Sequence, residues 1–235
     1  MESSTTETPS AESRAARVVA ANTASDAKEW AHAAKLWDDL RADFPENARY
    51  WHKSGEACCE AGMFEQADRV LGEAVARFPD DEWSAHWYVV AARRRADWPE
   101  ALRRVEKMGR SFPNSWRPMV EAADALAGLQ RQAESEEIRR EALKRFPNEF
   151  WTNYAVTRLD AERADPPGAV RIWSDLAARF PNQLVAADAL QAAREAARHP
   201  LRQRTAAPPE EEMRKPDASA AKPRGFPWRR RGARR

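Results

Sequence analysis

Several stretches of the chain place apolar residues three and four positions apart. Between Glu65 and Arg77 the apolar positions include Ala67, Val70, Leu71 and Ala74. This spacing puts them on one side of an α-helix and leaves the other side polar. Comparable runs extend over Glu100 to Arg110, Arg131 to Arg145 and Ala169 to Arg179. The pattern predicts amphipathic helices, each burying one stripe, and the small number of glycines, 8 in 235 residues, agrees with helix.

The dipeptide Phe-Pro interrupts this pattern at a constant interval. Proline has no amide hydrogen to donate and keeps the preceding residue out of helical dihedral angles, so a helix must end at each pair. Short polar side chains follow, and these are suited to cap the free N–H groups of another helix. The prolines are Pro45, Pro79, Pro113, Pro147 and Pro181, each 34 residues after the one before. The interval therefore predicts a structural unit repeated along the chain.

A second break falls near the middle of each unit, at residues 59–64, 96–99, 127–130 and 164–168. These segments contain Gly or Pro and interrupt the helical pattern. Each unit is therefore predicted to hold two helices. The chain is predicted to be all-α, with about five 34-residue helix-turn-helix units and a C-terminal capping helix from Leu184 to Arg198.

The second unit resembles the tetratricopeptide repeat (TPR), a 34-residue helical hairpin. Four signature places hold the residue types of that family: Trp51, Gly55, Ala67 and Ala74. Three others are changed: Ser54, Cys58 and Leu71 replace Leu, Tyr and an aromatic residue. The resemblance implies a right-handed α-solenoid over residues 11–200, in which small residues let paired helices approach and large ones fill the gaps.

The fourth unit departs from this frame. Ala133 comes two residues before the place where the frame requires Ala, and Ser135 occupies that place. We therefore expect a longer second helix in this unit.

The resemblance also implies a binding groove lined by the first helix of each unit. The positions that face such a groove are Arg49, His52, Glu56, Trp83, His86, Arg93, Arg117, Trp151, Tyr154 and Arg158. Aromatic and Arg side chains favour a peptide with acidic and apolar residues. Family members that clamp chaperone tails use Lys and Asn, whereas His52 and Glu56 stand at those places here. A chaperone-tail clamp is therefore not expected.

Eight of the ten tryptophans divide into two groups. We expect five of them in the core: Trp30, Trp37, Trp51, Trp98 and Trp173. Packing and binding stay open for Trp83, Trp116 and Trp151.

The sequence shows no motif for catalysis. It has no Gly-rich phosphate loop, nucleophile elbow or zinc-ligand spacing, so no enzyme, cofactor or metal site is predicted. His52, Glu56 and His86 would suit a metal only if further ligands joined them, and surface roles are favoured. The adjacent Cys58 and Cys59 are interpreted as reduced packing residues. Without a leader or a long apolar run, a cytoplasmic protein is expected.

The two ends differ from the repeats in composition. Residues 1–10 and 201–235 are predicted to be disordered. From residue 200 onward there are 11 Lys or Arg and 4 acidic residues, a net charge of +7, whereas the whole chain carries +2. An aromatic residue beside basic ones suits nucleic acid or an anionic membrane, which makes these tail contacts candidates: Trp228, Arg229, Arg230 and Arg231.

The leading prediction from the sequence is a protein-interaction scaffold that binds a peptide or partner protein in the groove. Two alternatives stay open: an accessory subunit of a bacterial polysaccharide, sulfotransferase or glycosyltransferase system, and a nucleic-acid-binding or membrane-associated protein acting through the tail. The sequence patterns do not encode the identity of the partner, the pathway or the oligomeric state.

Overall fold

A computed structural model of the chain describes residues 11–198. Eleven helices lie within this range: α1 (Ala11–Asp26), α2 (Trp30–Asp43), α3 (Ala48–Glu60), α4 (Phe64–Arg77), α5 (Glu82–Arg94), α6 (Trp98–Ser111), α7 (Arg117–Gly128), α8 (Gln132–Arg145), α9 (Phe150–Arg163), α10 (Pro166–Arg179) and α11 (Leu184–Arg198). The order confirms the all-α prediction of five helix pairs and a final helix. The predicted tail contacts Trp228, Arg229, Arg230 and Arg231 lie outside the described residues.

The chain divides into two compact units at the boundary between Arg131 and Gln132. In the first unit each helix from α1 to α7 packs against the next, and α5 also contacts both α3 and α7. In the second unit α8, α9, α10 and α11 pack in the same consecutive manner. Packing between neighbours in sequence is the arrangement of a helical repeat.

Each Phe-Pro pair forms the same turn between two repeats. The Phe amide still donates to the carbonyl four residues earlier, as Phe44 does to Leu40 at 2.9 Å and Phe78 to Ala74 at 2.8 Å. The Phe carbonyl then accepts from the residue three positions later. The donors are Asn47, Asp81, Ser115, Glu149 and Gln183, at 3.0–3.2 Å. The turn thus closes one helix and sets the start of another.

Side chains cap two of these new helices as the sequence predicted, α3 and α5, whereas Glu149 at the start of α9 makes no side-chain cap bond. The Asn47 carboxamide oxygen accepts from the amide of Arg49 at 3.1 Å, and the Asp81 carboxylate accepts from the amide of Ser84 at 3.0 Å. These contacts satisfy amides that have no partner inside the helix.

The turns inside the first four repeats share a left-handed residue. Positive φ angles occur, among residues 11–198, at Lys28, Gly62, Ala96 and Gln130, again 34 residues apart. At Gly62 two backbone bonds close the motif, Gly62 to Cys59 at 3.2 Å and Met63 to Cys58 at 2.8 Å. Equivalent pairs of bonds occur at the other three turns. This is the Schellman arrangement, in which a left-handed residue ends the helix.

The predicted core tryptophans are partly confirmed. Trp37, Trp51 and Trp173 are buried, with exposures of 0%, 2% and 8%. The prediction is wrong for Trp30 and Trp98, which are half-buried. Both are the first residue of a helix, α2 and α6, so packed neighbours do not surround them.

The adjacent cysteines confirm the packing interpretation. Cys58 and Cys59 are free thiols with exposures of 0% and 1%. Burial raises the pKa of Cys58 to about 11 and that of Cys59 to about 12. Both therefore stay protonated and act as small apolar residues.

The expectation of a longer second helix in the fourth repeat is wrong. α8 has 14 residues, as do α4, α6 and α10. Ser135 is buried at the small-residue place, and Ala133 is exposed. A serine therefore takes the place of the family's alanine, and the frame is not displaced.

We expect alanine substitutions at two helical glycines of the first unit to change stability in opposite directions. A Cβ at Gly55 would overlap the side chain of Leu71, which is fully buried and cannot retreat, whereas a Cβ at Gly72 would meet the Tyr88 ring at an ordinary 3.6 Å. We expect Gly55→Ala to lower the free energy of unfolding by about 1–3 kcal/mol through overpacking. Gly72→Ala should raise it by up to about 1 kcal/mol through helix propensity. Urea denaturation measures both, and equal signs would contradict the packing described.

Candidate functional site

The first helices α3, α5 and α7 form a continuous surface in the first unit, since α5 contacts both of the others. We call this surface the α3–α5–α7 face. Seven of the predicted groove residues lie on these three helices: Arg49, His52, Glu56, Trp83, His86, Arg93 and Arg117. Among them, Arg49, Trp83 and Arg117 occupy one repeat position, 34 residues apart.

Trp83 lies at the centre of this face. It is 46% exposed, although its ring is in contact on several sides. The His52 ring lies 6.4 Å from it and the His86 ring 5.8 Å, the latter edge-on. The Arg117 guanidinium stacks over the Trp83 ring at 4.3 Å. The structure therefore holds a large aromatic side chain in a fixed orientation with part of its surface open to solvent.

Arg117 is itself held by neighbouring side chains. One guanidinium nitrogen lies 3.0 Å from the Glu82 carboxylate, and the guanidinium carbon lies 4.8 Å from the centre of the Trp116 ring. Trp116, whose role the sequence left open, is half-buried beneath this contact. The Arg117 side chain is thus positioned before any partner arrives.

His52 connects α3 to the start of α5. Its Nδ1 lies 3.0 Å from the Asp81 carboxylate, which also caps α5. Burial opposes ionisation of Asp81, but the hydrogen bonds from His52 and Ser84 outweigh it and lower the pKa of the carboxyl. The cap and the His52 contact therefore stabilise the same charged carboxylate.

Beneath Trp83, the face holds a half-buried histidine, His86, and a buried acid, Glu121. His86 Nδ1 lies 3.6 Å from the Glu121 carboxylate and has no hydrogen-bond partner among the described residues. Burial lowers the pKa of His86 to about 3 and raises the pKa of Glu121 to about 7. Arg93 donates to Glu121 at 3.0 Å and lies 3.7 Å from Asp124. Between these pKa values both His86 and Glu121 are uncharged.

Most charges on the face are already paired. Arg93 and Arg117 contact carboxylates of α7 and α5, and Glu56 accepts from Lys53 at 2.8 Å. Arg49 is exposed and has no carboxylate within ion-pair distance among residues 11–198. The face therefore offers an open aromatic surface at its centre and an unpaired cation on α3.

The second unit carries the other three predicted groove residues on α9. Trp151 is 43% exposed and lies 5.0 Å from the Phe150 ring and 5.7 Å from the Tyr154 ring. Tyr154 rests on the buried Trp173 at 5.4 Å. Arg158 lies 3.7 Å from Glu162. This unit thus presents a second half-exposed tryptophan on an aromatic base.

Sequence reasoning missed the carboxylates that pair with the predicted cations. Glu82 and Arg117 are 35 residues apart, as are His86 and Glu121, and Glu60 and Arg94 are 34 apart with 2.5 Å between their charged groups. Residues about one period apart lie side by side on neighbouring first helices. Searching for opposite charges at that separation would have found these pairs.

Two further properties concern the described residues alone. Within residues 11–198 no three His, Cys, Asp or Glu side chains gather closely enough to hold a metal ion. None of the helices described is both long enough and apolar enough to span a membrane.

The fold matches several solved structures. The thermophilic TPR protein TTC0263 of Thermus thermophilus is similar with a TM-score of 0.64 at 13% identity, over 77% of this chain and 99% of that chain. Yeast Tom70 is similar with a TM-score of 0.57 at 16% identity, over 85% of this chain and 46% of the Tom70 chain. The APC/C hetero-tetramer Cut9–Hcn1 gives 0.52 at 16% identity, over 74% of this chain and 35% of the matched chain.

These similarities confirm the predicted fold, a helical repeat of the tetratricopeptide type. The chain spans less than half of the Tom70 chain and of the matched Cut9–Hcn1 chain. No protein-family model and no curated protein matches the sequence.

We expect Glu121 to make stability depend on pH. Its folded-state pKa of about 7 exceeds the usual 4.5, so the folded state holds the proton more tightly. The stabilisation of the fold by protonated Glu121 is complete below about pH 4.5 and is lost as the pH rises through 7. The free energy of unfolding of the wild type, relative to Glu121→Gln, should fall by on the order of 1–3 kcal/mol from pH 4.5 to 8.

His86 contributes to the pH dependence of stability with the opposite sign. This contribution cancels when the wild type is compared with Glu121→Gln, because both proteins contain His86. Because the pKa of His86 is lowered, His86 destabilises the fold as the pH falls below 6.5, and it does so in both proteins. Denaturant titrations at several pH values give the difference directly. A difference that is constant over this range would contradict the buried, protonated state of Glu121.

Proposed function

We propose that the α3–α5–α7 face binds a partner polypeptide and that Trp83 is its principal contact. The observation that carries this proposal is a tryptophan left 46% exposed while Arg117, His52 and His86 fix its orientation. A rigid aromatic side chain loses little conformational entropy on binding and buries a large apolar area.

The partner's chemistry follows from which groups of the face are free. Arg93 and Arg117 already have carboxylate partners, so an acidic ligand would have to displace Glu121 or Glu82 to reach them. Arg49 has no such competitor among the described residues. The favoured partner therefore presents an apolar side chain to Trp83 and a carboxylate to Arg49.

Trp151 and Tyr154 supply a second contact of the same type within the second unit. Trp151 is 43% exposed, and Tyr154 supports it from the direction of Trp173. Within the second unit, these rings form a candidate contact for an apolar side chain of a partner polypeptide. The proposed role is binding without a reaction step, as in a scaffold or adaptor.

A protein partner also agrees with a structure of the same fold. Cut9 was solved in a hetero-tetramer with Hcn1. The basic segment 201–235 lies outside the described residues, and its contact with nucleic acid or membrane stays a prediction, as does the role of an accessory subunit.

We expect a triple variant, Trp83→Ala with Arg117→Ala and Trp151→Ala, to lose its partners in an affinity pulldown from the native source. Truncating a central aromatic contact costs about 2 kcal/mol or more, which is roughly a thirtyfold loss of affinity. A chain shortened after residue 200 should keep the same partners. Loss in the shortened chain but not in the triple variant would assign binding to the tail and contradict the proposal.

The matched control is Val19→Ala. Val19 is an exposed apolar residue of α1, 64% accessible, and it belongs to none of the three helices of the face. This variant should bind like the wild type. Far-ultraviolet circular dichroism of every variant establishes that lost binding does not reflect lost helix.

A further inference from the structure

A separate cleft lies between the second helices α4 and α6 of the first unit. Its cavity volume is about 140 Å³. Val75, Ala76 and Met108 supply apolar walls, and the Tyr88 ring of α5 lines it as well. None of these residues is among those that surround Trp83 on the α3–α5–α7 face. The cleft therefore has its own walls, and Asp81 of its lining connects it to His52 on the α3–α5–α7 face.

Gly72 keeps this cleft open. At Gly55 and Gly128 an added Cβ would overlap Leu71 or Trp98, so close packing explains those glycines. At Gly72 a Cβ would lie 3.6 Å from the Tyr88 hydroxyl, an ordinary contact. Glycine weakens a helix interior relative to alanine, so packing and helix propensity both leave Gly72 unexplained. The space that it leaves adjoins the tyrosine ring.

The Tyr88 ring is fixed in place by Arg104, which also lines the cleft. The buried Arg104 guanidinium lies 3.6 Å from the ring centre and donates to the Tyr88 carbonyl at 2.6 Å. Asp68 and Glu100 pair with the same guanidinium at 2.7 Å each. A ring held by such a network forms a rigid wall with its hydroxyl at the cleft.

Two hydrogen-bond donors of the cleft have no partner among the described residues. The Tyr88 hydroxyl makes no hydrogen bond to another described residue, and Lys107 has no carboxylate partner within residues 11–198. Arg103 also lines the cleft and is 65% exposed, although it is paired with Glu100. Asp81 is the carboxylate of the lining, and its bonds go to His52 and Ser84.

We infer that this cleft receives a partner polypeptide whose medium-sized apolar side chain is flanked by carboxylates. The apolar side chain fills the space beside Gly72, Val75 and Met108. The flanking carboxylates accept from Lys107 and from the Tyr88 hydroxyl. Charge complementarity favours this occupant, because Lys107 is a cation of the lining without a carboxylate partner among residues 11–198, whereas Arg103 and Arg104 already pair with Glu100 and Asp68.

The test is a titration of the full chain, labelled with 13C in the tyrosine rings, by a blocked peptide Glu-Glu-Leu-Glu-Glu. The chain has 3 tyrosines, so each ring signal is assigned by a Tyr→Phe variant. Tyr88 should shift, while the buried Tyr50 and the second unit's Tyr154 stay unchanged. A peptide with Gln in place of Glu, or Gly in place of Leu, should shift Tyr88 far less.

Two substitutions connect the shift to the cleft. Gly72→Leu fills the space and should abolish the Tyr88 shift. Lys107→Gln should weaken binding by about three- to fivefold, as loss of an exposed ion pair does. The control Lys144→Gln, an exposed lysine of α8, should bind like the wild type. Lys107→Gln keeps the test decisive if Gly72→Leu fails to fold.

Three results with Tyr88 or Lys107, and a fourth with Tyr154, would overturn the inference. One is equal shifts with the Glu and Gln peptides, another is unchanged affinity in Lys107→Gln, and the third is a Tyr88 shift with decanoate but not with peptide. The last result would assign the cleft to a lipid carboxylate. A shift of Tyr154 with Tyr88 unmoved would place the peptide on the second unit and would equally overturn it.

Discussion

The turn at each Phe-Pro pair determines where the following helix begins within residues 11–198. The Phe carbonyl that would have continued the helix instead accepts from the residue three positions later, at 3.0–3.2 Å in all five turns. Proline prevents the helix from continuing, and the capping residue fixes where the next one starts. Every repeat therefore enters its first helix in the same register, which is why Arg49, Trp83 and Arg117 share one position.

The sequence predicted the helices well because the signals for them are local. Apolar spacing, Phe-Pro pairs and capping side chains act within a few residues, and the helix pairs follow from them. The left-handed turn residues are different. Lys28, Ala96 and Gln130 have no intrinsic preference for positive φ, so the packing of adjacent helices imposes a conformation for which only Gly62 is well suited.

The fourth repeat and the helix-start tryptophans show the same limit. Ala133 suggested a shifted frame because composition alone does not say whether Ala or Ser fills a small buried place. Trp30 and Trp98 suggested core because their size favours burial, yet each begins a helix, where fewer neighbours are available. Positions within a helix are predictable from period, whereas exposure at its ends depends on neighbouring elements.

For the candidate site, the resemblance predicted which residues of the first helices face a groove, and that stays a prediction; it did not predict which charged groups pair. Glu82 and Glu121 are distant in sequence from the arginines that they contact, and their pairing appears only when α5 and α7 lie side by side. Because these charged groups are paired, the exposed aromatic surface is the main contact that the face offers. The α4–α6 cleft differs, because its Lys107 has no carboxylate partner among the described residues.

The buried thiols of α3 give this protein an internal reporter of local opening. Cys58 and Cys59 are shielded from solvent, and their raised pKa values keep the reactive thiolate scarce at neutral pH. An alkylating reagent can therefore modify them only after α3 separates from α2 and α4. The rate of alkylation therefore measures how often the packing around α3 opens transiently, and mass spectrometry detects the modified cysteines.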